Sequence, residues 1–137
     1  MSVVAPYIVG IGCRAGCSET ELRQLLEQTL SEQGLHLSDI SGLASLAHKC
    51  REPGLVALAA SLALPLAGFE PEQLTHVLDR VSALSAAAER STGVASVAEA
   101  CALAQVEAIG GQRAALRISK HSSAQATVAV AGVEEQA

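Results

Sequence analysis

The chain has almost no aromatic side chains. Tyr7 and Phe69 are the complete set, and Trp is absent. That removes the stacking platforms on which single-stranded nucleic acids are held. Lysine is nearly as scarce: only Lys49 and Lys120 occur, and the formal net charge is −5. Such a chain lacks the general basic footprint of a DNA binder, so no nucleic-acid partner is expected. Long apolar runs are missing as well. The longest uncharged stretch, Gly54 to Phe69, contains Ser61 and Pro65 and falls short of the roughly 20 residues that a membrane-spanning helix needs. The opening Met1-Ser-Val-Val-Ala-Pro-Tyr7 has neither the basic region nor the extended apolar segment of a secretory leader. The expectation is a soluble cytoplasmic protein without a membrane partner.

Four cysteines, Cys13, Cys17, Cys50 and Cys101, contain no Cys-x-x-Cys pair. Two readings stand: reduced, small apolar side chains, or a zinc or redox role for Cys13 and Cys17. Histidine spacing gives no support to a metal site, and neither a metal nor a cofactor is expected.

What the chain does have is aliphatic bulk. Of 137 residues, 50% are apolar and 17% charged, a balance that excludes disorder. The length suits one domain, residues 1–137, with a core from about Tyr7 to Ala131. Tyr7 to Ile11 reads as a buried strand. It leads into a glycine-rich turn, Gly10 to Cys17, and Ser18 starts a helix with Glu21 completing a capping box. Leu22, Leu25, Leu26 and Leu30 fall on one face of that helix, which Gly34 ends. A second strand is placed near Leu43 to Ala47, a second helix from Pro53 to Pro65, and a third strand at Leu66 to Phe69. Pro71 is read as opening a third helix with Leu74, Val77, Leu78 and Val81 inward, followed by a small helix at Ser85 to Arg90. A second capping box, Ser96 to Glu99, starts a helix running to about Ala108. Arg113 to Lys120 and Ala126 to Ala131 are paired strands around a loop from His121 to Gln125. The fold class is therefore α/β: one mixed sheet of parallel β-α-β units plus a C-terminal antiparallel hairpin, with helices on its faces. Ligands of such sheets gather at the carboxyl ends of the parallel strands, which places the loops at 12–18 and 48–53 on one rim.

Two features could carry chemistry there. Gly10-x-Gly12-x-x-Ala15 matches a loose dinucleotide fingerprint, but the acidic residue due at the end of the second strand is absent, and His48 and Lys49 stand there. The open readings are a nucleotide site, an anion-accepting turn helped by Arg14, or a plain tight turn. The other feature is cation placement. Lys49 and Lys120 both adjoin strand ends, His48 and His121 stand beside them, and Arg14 and Arg51 lie in the rim loops. That fits either a local positive cleft or the ordinary polarity of loops. Glu52 and Glu99 begin helices, so each is a cap or, in a pocket that raises its pKa, a general base.

Four segments in register carry a resemblance. They are Val9 to Arg14 followed by Ser18; Lys49 to Leu55; Thr92 to Ala100; and Lys120 followed by Ala126 to Val130. Together they resemble the CobE/CbiG C-terminal family of cobalamin (vitamin B12) biosynthesis, over nearly the whole chain. In that family the domain occurs as the C-terminal part of a cobalt-precorrin-5A hydrolase, which opens a lactone and releases acetaldehyde, or alone. With 137 residues the likeness is to the standalone form of the aerobic pathway. The resemblance implies a precorrin-type tetrapyrrole as ligand, processed or carried, with other cobalamin-pathway enzymes as candidate partners. Corrin precursors bear acetate and propionate arms, which suit backbone N–H donors and cations. The binding positions it implies are Gly12, Cys13, Arg14, Gly16 and Ser18; Lys49 and Glu52; Thr92, Gly93, Ser96 and Glu99; and Lys120 with His121. If the protein is an enzyme, hydrolysis near ring contraction is the natural class, with Lys49, Glu52 or Lys120 as acid or base.

Overall fold

The computed structural model describes residues 7–80 and 97–133. The predicted helix at Ser85 to Arg90 and the candidates Thr92, Gly93 and Ser96 lie outside the described residues.

The elements run β1 (Tyr7–Cys13), α1 (Glu19–Glu32), β2 (Ile40–Leu46), α2 (Pro53–Leu62), β3 (Leu66–Phe69), α3 (Val97–Gly110), β4 (Ala114–Ser122) and β5 (Ala126–Val133). Short 3-10 turns at Leu37–Asp39 and Ala47–Arg51 flank β2. The five strands form one sheet in the order β3-β2-β1-β5-β4. β1, β2 and β3 are parallel; β5 runs against β1, and β4 against β5. The expected mixed α/β sheet is therefore present.

The four leucines of the predicted stripe on α1 are all buried, and with Leu55, Leu58 and Ala59 of α2 they cover one face of the sheet. Each such leucine contributes roughly 1.5–3 kcal/mol by leaving water. α3 covers the other face, with Ala100, Cys101, Ala102, Leu103, Ala104 and Val106 all buried. Its alanines let the helix axis lie close to the strands. The cost appears at Gly10, where a Cβ would collide with the carbonyl of Ala98. Gly54 is constrained in the same way by the Cys17 carbonyl, so the first turn of α2 sits directly against the chain entering α1.

Three sequence expectations need correction. Pro71–Arg80 is not an α-helix but a succession of 3-10 turns. The buried residues there, Leu74 and Val77, are spaced by three, which is the period of that helix and not 3.6. The second strand starts earlier than expected, at Ile40, because Asp39 accepts the His36 N–H at 2.9 Å and closes the turn just before it. The hairpin loop is tighter than His121 to Gln125: β4 continues through Ser122, which pairs with Thr127.

Candidate functional site

The parallel strands and the hairpin bring four chain segments to one rim. They are the end of β1, the Ala47–Arg51 turn after β2, the end of β3, and the β4–β5 connection. β4 runs in the same direction as β1, so its Lys120 and Ser122 arrive on the side where Cys13 leaves the sheet.

The glycines of the fingerprint lie inside a strand. Gly10 pairs with Ala129 and Gly12 with Thr127, and β1 continues to Cys13. Gly10 makes room for α3, so the tight turn needed by a dinucleotide is absent at that point. The loop that follows uses most of its own donors. Arg14 N–H bonds the Gln125 carbonyl at 2.9 Å, and Cys17 N–H bonds the Arg14 carbonyl at 3.1 Å. Gly16 N–H bonds Glu52 Oε1 at 3.0 Å. Of the open readings, the anion-accepting one has an occupant from the chain itself: the Glu52 carboxylate sits on the Gly16 N–H.

Glu52 is the residue before α2, yet its side chain makes no capping bond to its own helix. It crosses to the β1 loop instead. Ser18 caps α1 as expected, accepting the Glu21 N–H at 3.1 Å. The return half of that capping box is missing, because the Glu21 carboxylate reaches the hairpin. There it accepts the Ser123 hydroxyl and, at 2.9 Å, the Gln125 N–H. These two donors hold its carboxyl below the usual carboxylate range.

Cys13 faces the α1 side, among Cys17, Cys50, Lys49 and Glu52. Burial pushes its thiol up to about 11; the neighbouring thiols and Glu52 add to this, and Lys49 opposes it. Burial likewise raises Cys17, Cys50 and Cys101, the last to about 12. All four are free thiols. A protonated thiol is neither a good nucleophile nor a metal ligand. Among the described residues no group of three or more His, Cys, Asp or Glu could hold a metal ion.

Glu99 is fully buried near the start of α3, and its Oε2 accepts the Lys120 N–H at 2.8 Å. A bulge makes that bond possible. Ile118 pairs with Val130 and His121 with Val128, so Ser119 and Lys120 together oppose Ala129. The extra residue frees one backbone N–H from the ladder, and Glu99 takes it. His121 turns to the α1 flank, with Nδ1 at 2.8 Å from the Ser119 carbonyl and Nε2 3.9 Å from Glu32.

The described candidates therefore fall into groups. Gly16 and Glu52 are in contact, and Cys13 lies near enough to Lys49 and Glu52 to feel both charges. Gly12 lies next to Val97, the first residue of α3, and Glu99 of that helix holds Lys120. Ser18 is a helix cap, Arg14 is exposed, and His121 is bound to its own strand and to α1. Sequence reasoning missed the hairpin residues Ser122, Ser123, Gln125 and Thr127. The polar run Ser122-Ser-Ala-Gln125 between two strands was the available signal.

Comparison with known proteins gives concordant results. The family model described as the cobalamin synthesis G C-terminus matches residues 7–131. The chain is 32% identical over 128 residues to "Protein CobE" of a Sinorhizobium species, covering 93% of this chain and 80% of that protein. It is 26% identical over 69 residues to "Cobalt-precorrin-5A hydrolase" of Priestia megaterium, but the match spans only 18% of that enzyme. The crystal structure of CobE, "a protein from the cobalamin (vitamin B12) biosynthetic pathway", superposes with a TM-score of 0.90 at 45% identity, covering 96% of this chain and 93% of that one.

Proposed function

Because the chain belongs to the family of cobalamin synthesis G C-terminal domains, we propose that its rim holds a precorrin-type tetrapyrrole by the macrocycle's carboxylate arms. The protein is a cobalamin biosynthesis protein. The observation that supports the ligand is where an acidic chain keeps its cations. Arg14 follows β1, while His48, Lys49 and Arg51 lie in the five-residue turn after β2. Lys120 stands two residues before the end of β4. A polycarboxylate approaching this edge meets cations from three strand ends, although the whole molecule carries −5.

Of the two candidate carboxylates, Glu99 is buried and bonded to the Lys120 backbone, while Glu52 gives one oxygen to the Gly16 N–H and keeps acceptor capacity on the other. Our reading is a carrier that keeps a labile intermediate between pathway enzymes. The hydrolase-like alternative, lactone opening with Lys49, Glu52 or Lys120 as acid or base, rests on a relative of which this chain matches a small part.

The test is to mix purified protein with pathway intermediates and follow the visible spectrum and the retained pigment after gel filtration. Binding shifts the spectrum and carries pigment with the protein, and no new product forms. No shift and no retained pigment with any intermediate would overturn the proposal. A new product with the wild-type chain would establish the catalytic alternative instead.

A further inference from the structure

Three neighbouring strands end in a row of small polar positions. Gly12 of β1 pairs with Thr127 of β5, and Thr127 pairs with Ser122 of β4. Residues directly opposite one another in a sheet share a face. The Ser122 and Thr127 hydroxyls confirm it here, lying 3.1 Å apart. The face is the α3 face, since a Cβ on Gly12 would point toward Val97 at 4.0 Å. The row thus reads glycine, hydroxyl, hydroxyl, with Val97 bordering its first position.

A cleft of about 250 Å³ opens over this row, between the β1 exit and the hairpin tip. Its ionisable lining residues are Arg14 and Cys13, whose thiol faces the α1 side, and no carboxylate lines it among the described residues. Three of the tip's other polar groups are already committed: the Ser123 hydroxyl and the Gln125 N–H to Glu21, and the Gln125 carbonyl to Arg14 N–H. Ser122 and Thr127 differ. When one hydroxyl donates to the other, the acceptor keeps its own O–H to give outward. The cleft is therefore a small donor-bearing pocket with one cation at its mouth and, among the described residues, no competing anion.

We infer that this cleft is a subsite for a single carboxylate arm of the ligand, received by the Ser122 and Thr127 hydroxyls with Arg14 at its entrance. The inference rests on the reading of the rim as a tetrapyrrole site and adds the residues that select the free acid. Size decides what enters. Whole-ligand pockets run from about 300 Å³ upward, so this space takes an acetate or propionate group while the ring stays outside on the rim. The hairpin needs to be rigid for this to discriminate, and the two Glu21 bonds on its far side supply that rigidity.

The experiment uses two probes, cobyrinic acid with its arms free and its methyl ester, titrated by absorbance against the full chain. The variants are Ser122→Ala with Thr127→Val, and Thr127→Ser alone. Valine keeps the shape and the β-branch, so the strand is preserved, and melting temperatures check it. A hydrogen bond to a charged group is worth about 1.5–3 kcal/mol, so the double variant should bind the free acid roughly 10- to 100-fold more weakly. Its affinity for the ester should match that of the wild type, and Thr127→Ser should bind the acid within about twofold of wild type. Equal binding of the acid by wild type and double variant would remove the subsite and leave the tetrapyrrole reading standing. Parallel losses for acid and ester would also overturn it. A wild-type chain that binds neither probe would remove the reading beneath it.

Discussion

Glu52 Oε1 accepts the Gly16 N–H at 3.0 Å and so ties the start of α2 to the loop that leaves β1. The two residues are far apart in sequence, and the contact closes the rim between the first two β-α units. Gly54 presses against the Cys17 carbonyl just beside it, which fixes the same junction by shape. Replacing Glu52 by Ala removes the acceptor and leaves Gly16 N–H to water. The bond lies at the surface, so the expected loss is about 1 kcal/mol, a fall in melting temperature of roughly 3 °C. Glu52→Gln retains an acceptor oxygen and should recover most of it. Calorimetry on the three proteins checks this, and an unchanged Glu52→Ala would show that the contact contributes nothing.

Much of this fold was legible because two periods dominate the sequence. The leucines of α1 recur at helical spacing and all four are buried; Ala126 to Ala131 is an unbroken buried strand except for Thr127. Site detail was less legible, for a physical reason. Glu21 and Glu52 sit where helices begin, and local rules give such carboxylates to their own helix. Both instead reach partners brought close only by the sheet order, Gln125 for one and Gly16 for the other. Gly10 and Gly12 were obscure for the same reason. Their spacing left a nucleotide loop, an anion-accepting turn and a plain tight turn all open, whereas the demand on Gly10 comes from the carbonyl of Ala98.

That demand can be tested directly. Gly10→Ala places a methyl group onto backbone in the first turn of α3, which cannot rotate away as a side chain would. Overpacking of this kind costs about 1–3 kcal/mol, and the backbone contact puts Gly10 at or above the upper end. Gly12→Ala meets only Val97 at ordinary contact distance and should cost far less. Chemical denaturation of the pair would show the contrast, and equal stabilities would mean that α3 does not pack as described.

The Glu21 carboxyl is held low by Ser123 and Gln125, so its contribution is depressed-pKa in type. Its stabilisation is present above the unfolded value, near 4.5, and is lost as the pH falls through the lower folded value. The hairpin tip should therefore loosen in acid. The protection factor of the Gln125 amide, taken against its intrinsic exchange at each pH, is expected to fall in the wild type as acid protonates the Glu21 carboxylate. In Glu21→Gln the protection factor should already be lower at neutral pH and should lose that acid step. An unchanged exchange rate in the variant would sink the latch.

Cys13, raised to about 11, should alkylate slowly in the native state. Against an ordinary thiol near 9, the thiolate fraction at pH 8 is lower by roughly a hundredfold, and the reaction slows in proportion. The sign for stability follows: unfolding frees a more acidic thiol, so this contribution is intact below pH 9 and declines as the pH rises toward 11. Mass-resolved iodoacetamide labelling in native buffer and in denaturant checks it. Rapid native labelling at Cys13 would reopen a reactive role for that residue.

The two lysines reach the rim by different routes, and that separates their effects. Lys49 lies in the turn after β2, near Cys13. Lys120 stands in the β4 bulge that Glu99 fixes. Both are half-buried, and each ion pair with a ligand carboxylate should be worth about 0.5–1 kcal/mol in this partly exposed setting. Lys49→Ala and Lys120→Ala should each weaken retention of a polycarboxylate corrin two- to fivefold, and the double variant should show the product of the two. Because these are screened charges, the losses should shrink as salt rises toward 1 M. Glu99→Gln is expected to leave Lys49's share intact while reducing that of Lys120, since the bulge then lacks its charged acceptor. Fluorescence or absorbance titrations at two salt concentrations would measure all four variants. Retention that ignores both lysines at low salt would mean that the cations at this edge do not hold the ligand.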